Sequence, residues 1–317
     1  METRNSERLF IAGHRGMAGS AILRRFKDSD FELLYADRDE LDLCDAGQVD
    51  QYFSTHRPDG VILAAAKVGG ILANVQSPVD FLTENVLMAT HVINAAFRHS
   101  VSRLLYLGSS CIYPRDSKQP IEENSLLTAP LEGTNEAYAL AKIVGLKLCQ
   151  AYRCQHGVQF HSVMPTNLYG PGDNYHPENS HVLPGLLRRF HEAKVAGSES
   201  VVIWGTGAAR REFLHVDDLA EAVHFVFGLT DPPDWVNVGT GNDVTILALA
   251  HRIADVVGYR GEIQIDPSRP DGVPAKRLDM TLLHQLGWKH RIEIEDGLQM
   301  TYQSFLQELE SGSLREC

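Results

Sequence analysis

The sequence predicts an α/β protein built on a doubly wound parallel sheet with a smaller C-terminal domain. Three observations carry that prediction. Arg8 to Ala12 reads as a short apolar strand that runs through a glycine turn, Gly13-His14-Arg15-Gly16-Met17-Ala18-Gly19, into an amphipathic helix over Ala18 to Phe26. From there to Met164, short apolar strands alternate with helical segments, the pattern of strands paired in parallel through right-handed crossovers. After Gly172 the texture changes: a polar loop over Asp173 to Ser180 precedes shorter elements broken by turn clusters.

The first unit has the context of a dinucleotide fingerprint of Rossmann type, because a strand, a glycine turn and a helix follow one another. Its spacing is Gly-x-x-Gly-x-x-Gly, through Gly13, Gly16 and Gly19. Glycines let the backbone approach a pyrophosphate, and the helix N-terminus favours its charge. Phe31 to Tyr35 reads as the second strand. The segment that follows, Ala36-Asp37-Arg38-Asp39-Glu40-Leu41, stands where an adenosine ribose is read. Arg15 and Arg38 suit a 2′-phosphate, whereas Asp37 suits a free 2′-hydroxyl.

Gly60 to Ala66 reads as the third strand, ending in Lys67-Val68-Gly69-Gly70, and Val79 to Arg98 as a long helix. Ser102 to Leu107 is a buried-type strand that ends in small residues, Gly108-Ser109-Ser110-Cys111-Ile112-Tyr113-Pro114. Ala137 to Tyr152 reads as a helix, and Gln159 to Met164 as a strand leading into Pro165-Thr166-Asn167-Leu168-Tyr169-Gly170-Pro171-Gly172. Beyond it come a helix over His181 to Lys194, a short strand over Val201 to Trp204, and the segment Arg210 to Asp218 leading into another helix. Asn237 to Gly241 and Pro270 to Pro274 are turn clusters. The expected division is a nucleotide-binding unit over 1–172, to which 213–240 returns, and a second domain over 173–212 and 241–317.

With 317 residues, 44% of them hydrophobic, the chain is long enough for two domains with a real core. A net charge of −12 argues against a general nucleic-acid or membrane-surface role. The N-terminal residues are polar and no run is long enough to span a membrane. The five cysteines, Cys44, Cys111, Cys149, Cys154 and Cys317, have no metal-ligand spacing, which suits a reduced cytoplasmic protein without a metal. Cys149 and Cys154 read as packing residues.

The chemistry gathers at two places. Tyr138 and Lys142 are four apart on one helix face. A tyrosine beside an ammonium has its pKa lowered and serves as a general acid near neutral pH. A serine from the Gly108-Ser109-Ser110 strand end, brought close, orients a substrate carbonyl.

With the glycine motif, the serine-bearing strand end, Tyr138-x3-Lys142 and His215-Val216-Asp217-Asp218 in that order, the chain looks like an extended short-chain dehydrogenase/reductase. Within that superfamily it resembles the GDP-L-fucose synthase family, the GDP-4-keto-6-deoxy-D-mannose 3,5-epimerase-4-reductases. Matching stretches span nearly the whole chain, and Gly-Ser-Ser-Cys-Ile-Tyr-Pro and Met-Pro-Thr-Asn-Leu-Tyr-Gly-Pro are the most specific. The sequence departs from that family's pattern at Ala36-Asp37 and at Ala275, where basic residues are expected.

The resemblance implies roles by position. Tyr138 would be the reductase acid, Lys142 its ribose-binding partner, and Ser109 a contact to the sugar carbonyl, with Cys111 and His181 as an epimerase acid–base pair. NADP(H) would be held by Gly13, His14, Arg15, Gly16, Met17 and Gly19, by Arg38 and Leu41, and by Leu107, Gly108, Ser109, Ser110 and Lys142. Pro165, Thr166, Asn167, Leu168 and His181 would complete the nicotinamide side. Arg189, Trp204, Arg211 and Asp271 would hold the GDP-sugar, and a homodimer would form through the Val79 and Tyr138 helices.

Overall fold

The computed structural model describes residues 6–268 and 272–316; Asp271 and Cys317 lie outside them. The N-terminal part alternates β1 (Arg8–Ala12), α1 (Met17–Phe26), β2 (Glu32–Leu34), α2 (Ala46–His56), β3 (Gly60–Leu63), α3 (Ile71–Gln76), α4 (Pro78–Arg98), β4 (Arg103–Leu107), α5 (Glu136–His156) and β5 (Gln159–Pro165). Then come β6 (Asn167–Tyr169), α6 (Val182–Ala196), β7 (Ser200–Trp204), β8 (Arg210–His215), α7 (Val216–Phe227) and β9 (Trp235–Val238). The chain finishes with β10 (Asp243–Thr245), α8 (Ile246–Val257), β11 (Glu262–Asp266), β12 (Ala275–Lys276), α9 (Thr281–Leu286) and α10 (Ile294–Ser311).

Six strands form a parallel sheet in the order β2-β1-β3-β4-β5-β9. The order reverses between β1 and β3, and a crevice opens at such a switch point beyond the strands' carboxyl ends. Side chains alternate across the sheet. Leu9, Ile11, Ile62, Leu105 and Leu107 pack beneath α1 and α7. Phe10, Ala12, Val61, Leu63, Leu104 and Tyr106 pack beneath α2, α4 and α5. Both faces are buried, which is why the strands read as continuous apolar runs rather than as alternating ones.

The smaller body has its own core around α6, α8 and α10. Its strands form the run β10-β8-β12, with β6 also on β8, and a separate pair β11-β7. β8 pairs with β6, β10 and β12, and its Phe213 packs in the smaller core while its Leu214 packs with Val216 in the core under α1 and α7.

Two elements and one cysteine differ from expectation. β3 stops at Leu63 rather than Ala66, because the chain leaves the sheet after Ala64 to form a wall of the crevice. Asn85 of α4 pins that wall at Lys67, accepting from its N–H at 2.9 Å and donating to its C=O at 3.0 Å. The helix expected over Ala137 to Tyr152 runs a turn further, to a left-handed cap at Gly157. Of its two cysteines, Cys149 is buried as packing, but Cys154 is exposed.

Candidate active site

A cavity of about 650 Å³ opens at the switch point. β1 delivers the glycine turn to it, and two glycines there are dictated by geometry. Gly13 has φ +90°, and a Cβ on it would lie 2.6 Å from the Ala65 backbone; a Cβ on Gly19 would lie 2.0 Å from the Gly13 carbonyl oxygen. That closeness seats the first turn of α1 directly against the turn, with the helix N-terminus facing the cavity.

At the end of β2, Asp37 is paired with Arg15 and lies 3.2 Å from His14 Nε2. Arg15 and Arg38 are both largely exposed, at 76% and 79%. Arg38 has Glu84 as a distant partner at 3.9 Å. The carboxylate at Asp37 is thus compensated within the protein, and Arg38 is the freer cation at this end.

β4 delivers Leu107, Gly108 and Ser109. Ser109 caps a single 3₁₀ turn, its Oγ accepting from the Cys111 N–H at 3.2 Å. From α5, Lys142 reaches the same strand end, and its ammonium donates to the Leu107 carbonyl at 2.8 Å. Its Nζ stands 5.7 Å from the Tyr138 ring centroid. The electrostatics here correct one premise of the sequence reading. Burial, followed by the charge of Cys111, raises the Tyr138 phenol above its ordinary value, against a smaller pull from a Ser109 hydrogen bond. Burial lowers Lys142 to about 7, with Cys111 acting the other way. Desolvation therefore outweighs any lowering of the phenol by the lysine. Tyr138 keeps its proton, the state a general acid needs before it acts.

β5 and β6 supply Pro165, Thr166, Asn167 and Leu168. Thr166 Oγ1 and Asn167 Nδ2 both donate to the Glu212 carbonyl, at 3.2 and 2.8 Å, so these side chains join the two bodies. His181 is the N-cap of α6. It lines the cavity with an exposed side chain, and desolvation by the surrounding protein lowers its pKa.

All the residues expected at the cofactor line this one cavity, together with Tyr138. Cys111 stands just outside the lining. Its Sγ accepts from Asn135 Nδ2 at 3.3 Å and from Lys276 Nζ at 3.6 Å. Of the expected sugar ligands, Arg189, Trp204 and Arg211 do not line the cavity. Arg189 on α6 is half-buried and donates to the Val202 and Gly185 carbonyls. Trp204 ends β7 at 61% exposure. Arg211 on β8 donates to the Val273 carbonyl at 2.5 Å.

The sequence reading missed other lining residues: Asn74, Asp173, Asn179 and Arg315. Asp173 is buried, and burial pushes its carboxyl up to about 7 against the nearby Asn174 N–H and Arg315. The polar run after Gly172 was a signal for Asp173 and Asn179. Nothing local marks Arg315, which arrives from the far end of the chain.

The NAD dependent epimerase/dehydratase family model matches residues 9–239. GDP-L-fucose synthase of Escherichia coli (strain K12) is 54% identical over 313 residues, covering 96% of this chain and 98% of that protein. The chain belongs to the GDP-L-fucose synthase family. GDP-L-fucose synthase 1 of Arabidopsis thaliana, another member, is 54% identical over 302 residues, covering 95% of this chain and 94% of that protein. Among solved structures, a GDP-L-fucose synthetase from Naegleria fowleri bound to NADP superimposes with a TM-score of 0.88 at 26% identity. It covers 99% of this chain and 98% of that one.

Proposed function

We propose that this protein binds NADP(H) and converts GDP-4-keto-6-deoxy-D-mannose to GDP-L-fucose, by epimerisation at C3 and C5 followed by reduction at C4. The observation that carries this reading is the convergence of Ser109, Tyr138, Lys142 and His181 on the cavity whose glycine turn faces a helix N-terminus, with Cys111 directly behind Ser110.

The residues present fit a dinucleotide. The Gly13–Gly19 cradle leaves backbone and a helix N-terminus for a pyrophosphate, Arg38 offers a charge for a 2′-phosphate, and Lys142 stands near the strand end where a ribose would lie. The reduced nicotinamide, when bound, supplies hydride to a carbonyl. The protein's own groups do the rest. The C4 ketone acidifies the protons on C3 and C5. Cys111 as thiolate and His181 act as base and acid on opposite ring faces, while Ser109 and Tyr138 hold the enolate oxygen. Tyr138 then gives its proton to the C4 oxygen as reduction proceeds. Arg189, Trp204 and Arg211, on α6, β7 and β8, hold the GDP-sugar beyond the cavity wall.

The proposed assembly is a homodimer. Its support is the apolar surface left exposed on adjoining helices: Val79 and Leu82 of α4, and Leu140 and Val144 of α5. Light scattering at twice the chain mass is the expected result. Among the described residues no helix is long and apolar enough to cross a membrane. The cytoplasmic placement is also a proposal, supported by the free thiols Cys44, Cys111, Cys149 and Cys154.

The test of function is incubation with GDP-4-keto-6-deoxy-D-mannose and NADPH, following NADPH loss and identifying the sugar by NMR. GDP-L-fucose formed with one NADPH per sugar is expected. A C4-epimer formed without net NADPH consumption would sink the reading.

A further inference from the structure

Cys111 faces two nitrogen atoms. Asn135, in the turn before α5, approaches Sγ at 3.3 Å, and Lys276, from β12, at 3.6 Å. An amide can be turned over, but an ammonium has three donors and no acceptor, so the sulfur before Lys276 is an acceptor. A thiolate fills that role far better than a thiol.

The position of Lys276 is not left to a mobile side chain on a loose loop. β12 runs parallel to β8, with Lys276 in register with Arg211. The residues after it are tied on both sides. Arg277 N–H donates to Gln119 Oε1 at 2.8 Å, Leu278 N–H to Glu212 Oε2 at 2.7 Å, and Ile121 N–H to the Arg277 carbonyl at 2.8 Å. Lys276 itself is half-buried. Among the described residues, no carboxylate lies in ion-pair contact with it.

We propose that Lys276 is the positioning residue of the epimerisation half-reaction: its ammonium holds Cys111 as a thiolate, directed at the sugar carbon beside the ketone. The proposal rests on the reading of Cys111 as the ring base. In the step it supports, the C–H bond next to the C4 ketone breaks and its proton forms an S–H bond on Cys111. The electron pair moves into the enolate, whose oxygen Ser109 and Tyr138 hold. His181 returns a proton from the other ring face, so nothing is oxidised or reduced. Tyr138 and Lys142 of α5 also interact electrostatically with Cys111; Tyr138 keeps its proton, and burial lowers the Lys142 amine to about 7.

A nearby ammonium favours thiolate, so removing it moves the thiol's titration upward. The experiment compares wild type, Lys276→Met and Lys276→Arg in the full-length protein. The first readout is the rate of Cys111 alkylation by iodoacetamide against pH, resolved from the other cysteines by peptide mass spectrometry. Lys276→Met is expected to move the midpoint upward by about one pH unit, with Lys276→Arg restoring most of it. The second readout is deuterium entry at C3 and C5 of the keto sugar in D₂O without NADPH. At neutral pH it should fall about tenfold in Lys276→Met and recover at higher pH, with NADPH affinity unchanged. Equal alkylation midpoints in wild type and Lys276→Met, with NADPH binding showing the variant folded, overturn the proposal. If Lys276→Met does not fold, the arginine variant and Lys276→Gln take its place. A shifted midpoint with no exchange even in wild type upholds the charge pairing but refutes Cys111 as ring base, so the two failures are separable.

Discussion

Lys142 is a buried amine, and burial should be visible in the protein's stability. Its side chain is 3% exposed, and desolvation brings its pKa from an ordinary 10.5 to about 7. The gap corresponds to about 5 kcal/mol of differential cost between the charged and neutral amine. The sign follows from proton counts. Below about pH 7 both folded and unfolded chains carry the proton, and the folded state bears the whole cost of a buried charge. Between about 7 and 10.5 the unfolded chain keeps a proton that the folded chain has released, so stability rises with pH, by up to ~1.4 kcal/mol per unit. Above that range the term is constant. Lys142→Met keeps the bulk and removes the titration. It also removes the 2.8 Å bond to the Leu107 carbonyl, a pH-independent cost of about 1 kcal/mol. Urea unfolding of cofactor-free wild type and Lys142→Met, from about pH 7.5 to about pH 9, should show wild type gaining about 2 kcal/mol relative to the variant. Other groups titrate alike in both proteins and cancel. Parallel stability profiles would falsify the buried-amine account and leave Lys142 an ordinary charged lysine.

Tyr138→Phe should bind NADPH nearly normally yet lose about a hundredfold or more of reduction, because it deletes the acid and little volume; steady-state rates within a few fold of wild type would reassign the role. Arg38→Ala should weaken NADPH binding about tenfold and leave NADH nearly unchanged, since Arg15 is already paired with Asp37; titrations showing equal losses would make Arg38 structural. Cys111→Ser should cut deuterium entry at C3 and C5 by about tenfold or more, a serine being a poor base at its ordinary pKa, with unchanged entry returning Cys111 to packing. Glu212→Ala should destabilise by at least about 3 kcal/mol in urea unfolding. Its carboxylate accepts from the Thr240, Gly241 and Leu278 N–H groups at 2.6, 2.8 and 2.7 Å, and all three would be orphaned.

The large sheet was legible in the chain because its signals are local. Strands buried on both faces show as apolar runs, such as Gly60 to Leu63 and Arg103 to Leu107, and the helices between them show as periodic segments. Gly13, Gly16 and Gly19 could be recognised for the same reason, since the turn and its helix are consecutive in sequence. Resemblance to a family added Cys111, His181 and the sugar ligands, which no spacing reveals.

Other features depended on contacts between segments distant in sequence. That β3 ends at Leu63 follows from Asn85, a helix away, bonding both sides of Lys67. Whether Lys142 is charged could not be read from Tyr138-x3-Lys142, because the spacing fixes proximity but not desolvation, and desolvation decides the pKa. Arg315 reaches the cavity from the end of the chain, and Lys276 meets Cys111 across 165 residues. The sequence determined the elements and the motif that each one carries, because those rest on neighbouring residues. The tertiary structure decided which charges are buried and which groups meet, because burial and encounter are properties of the packed whole.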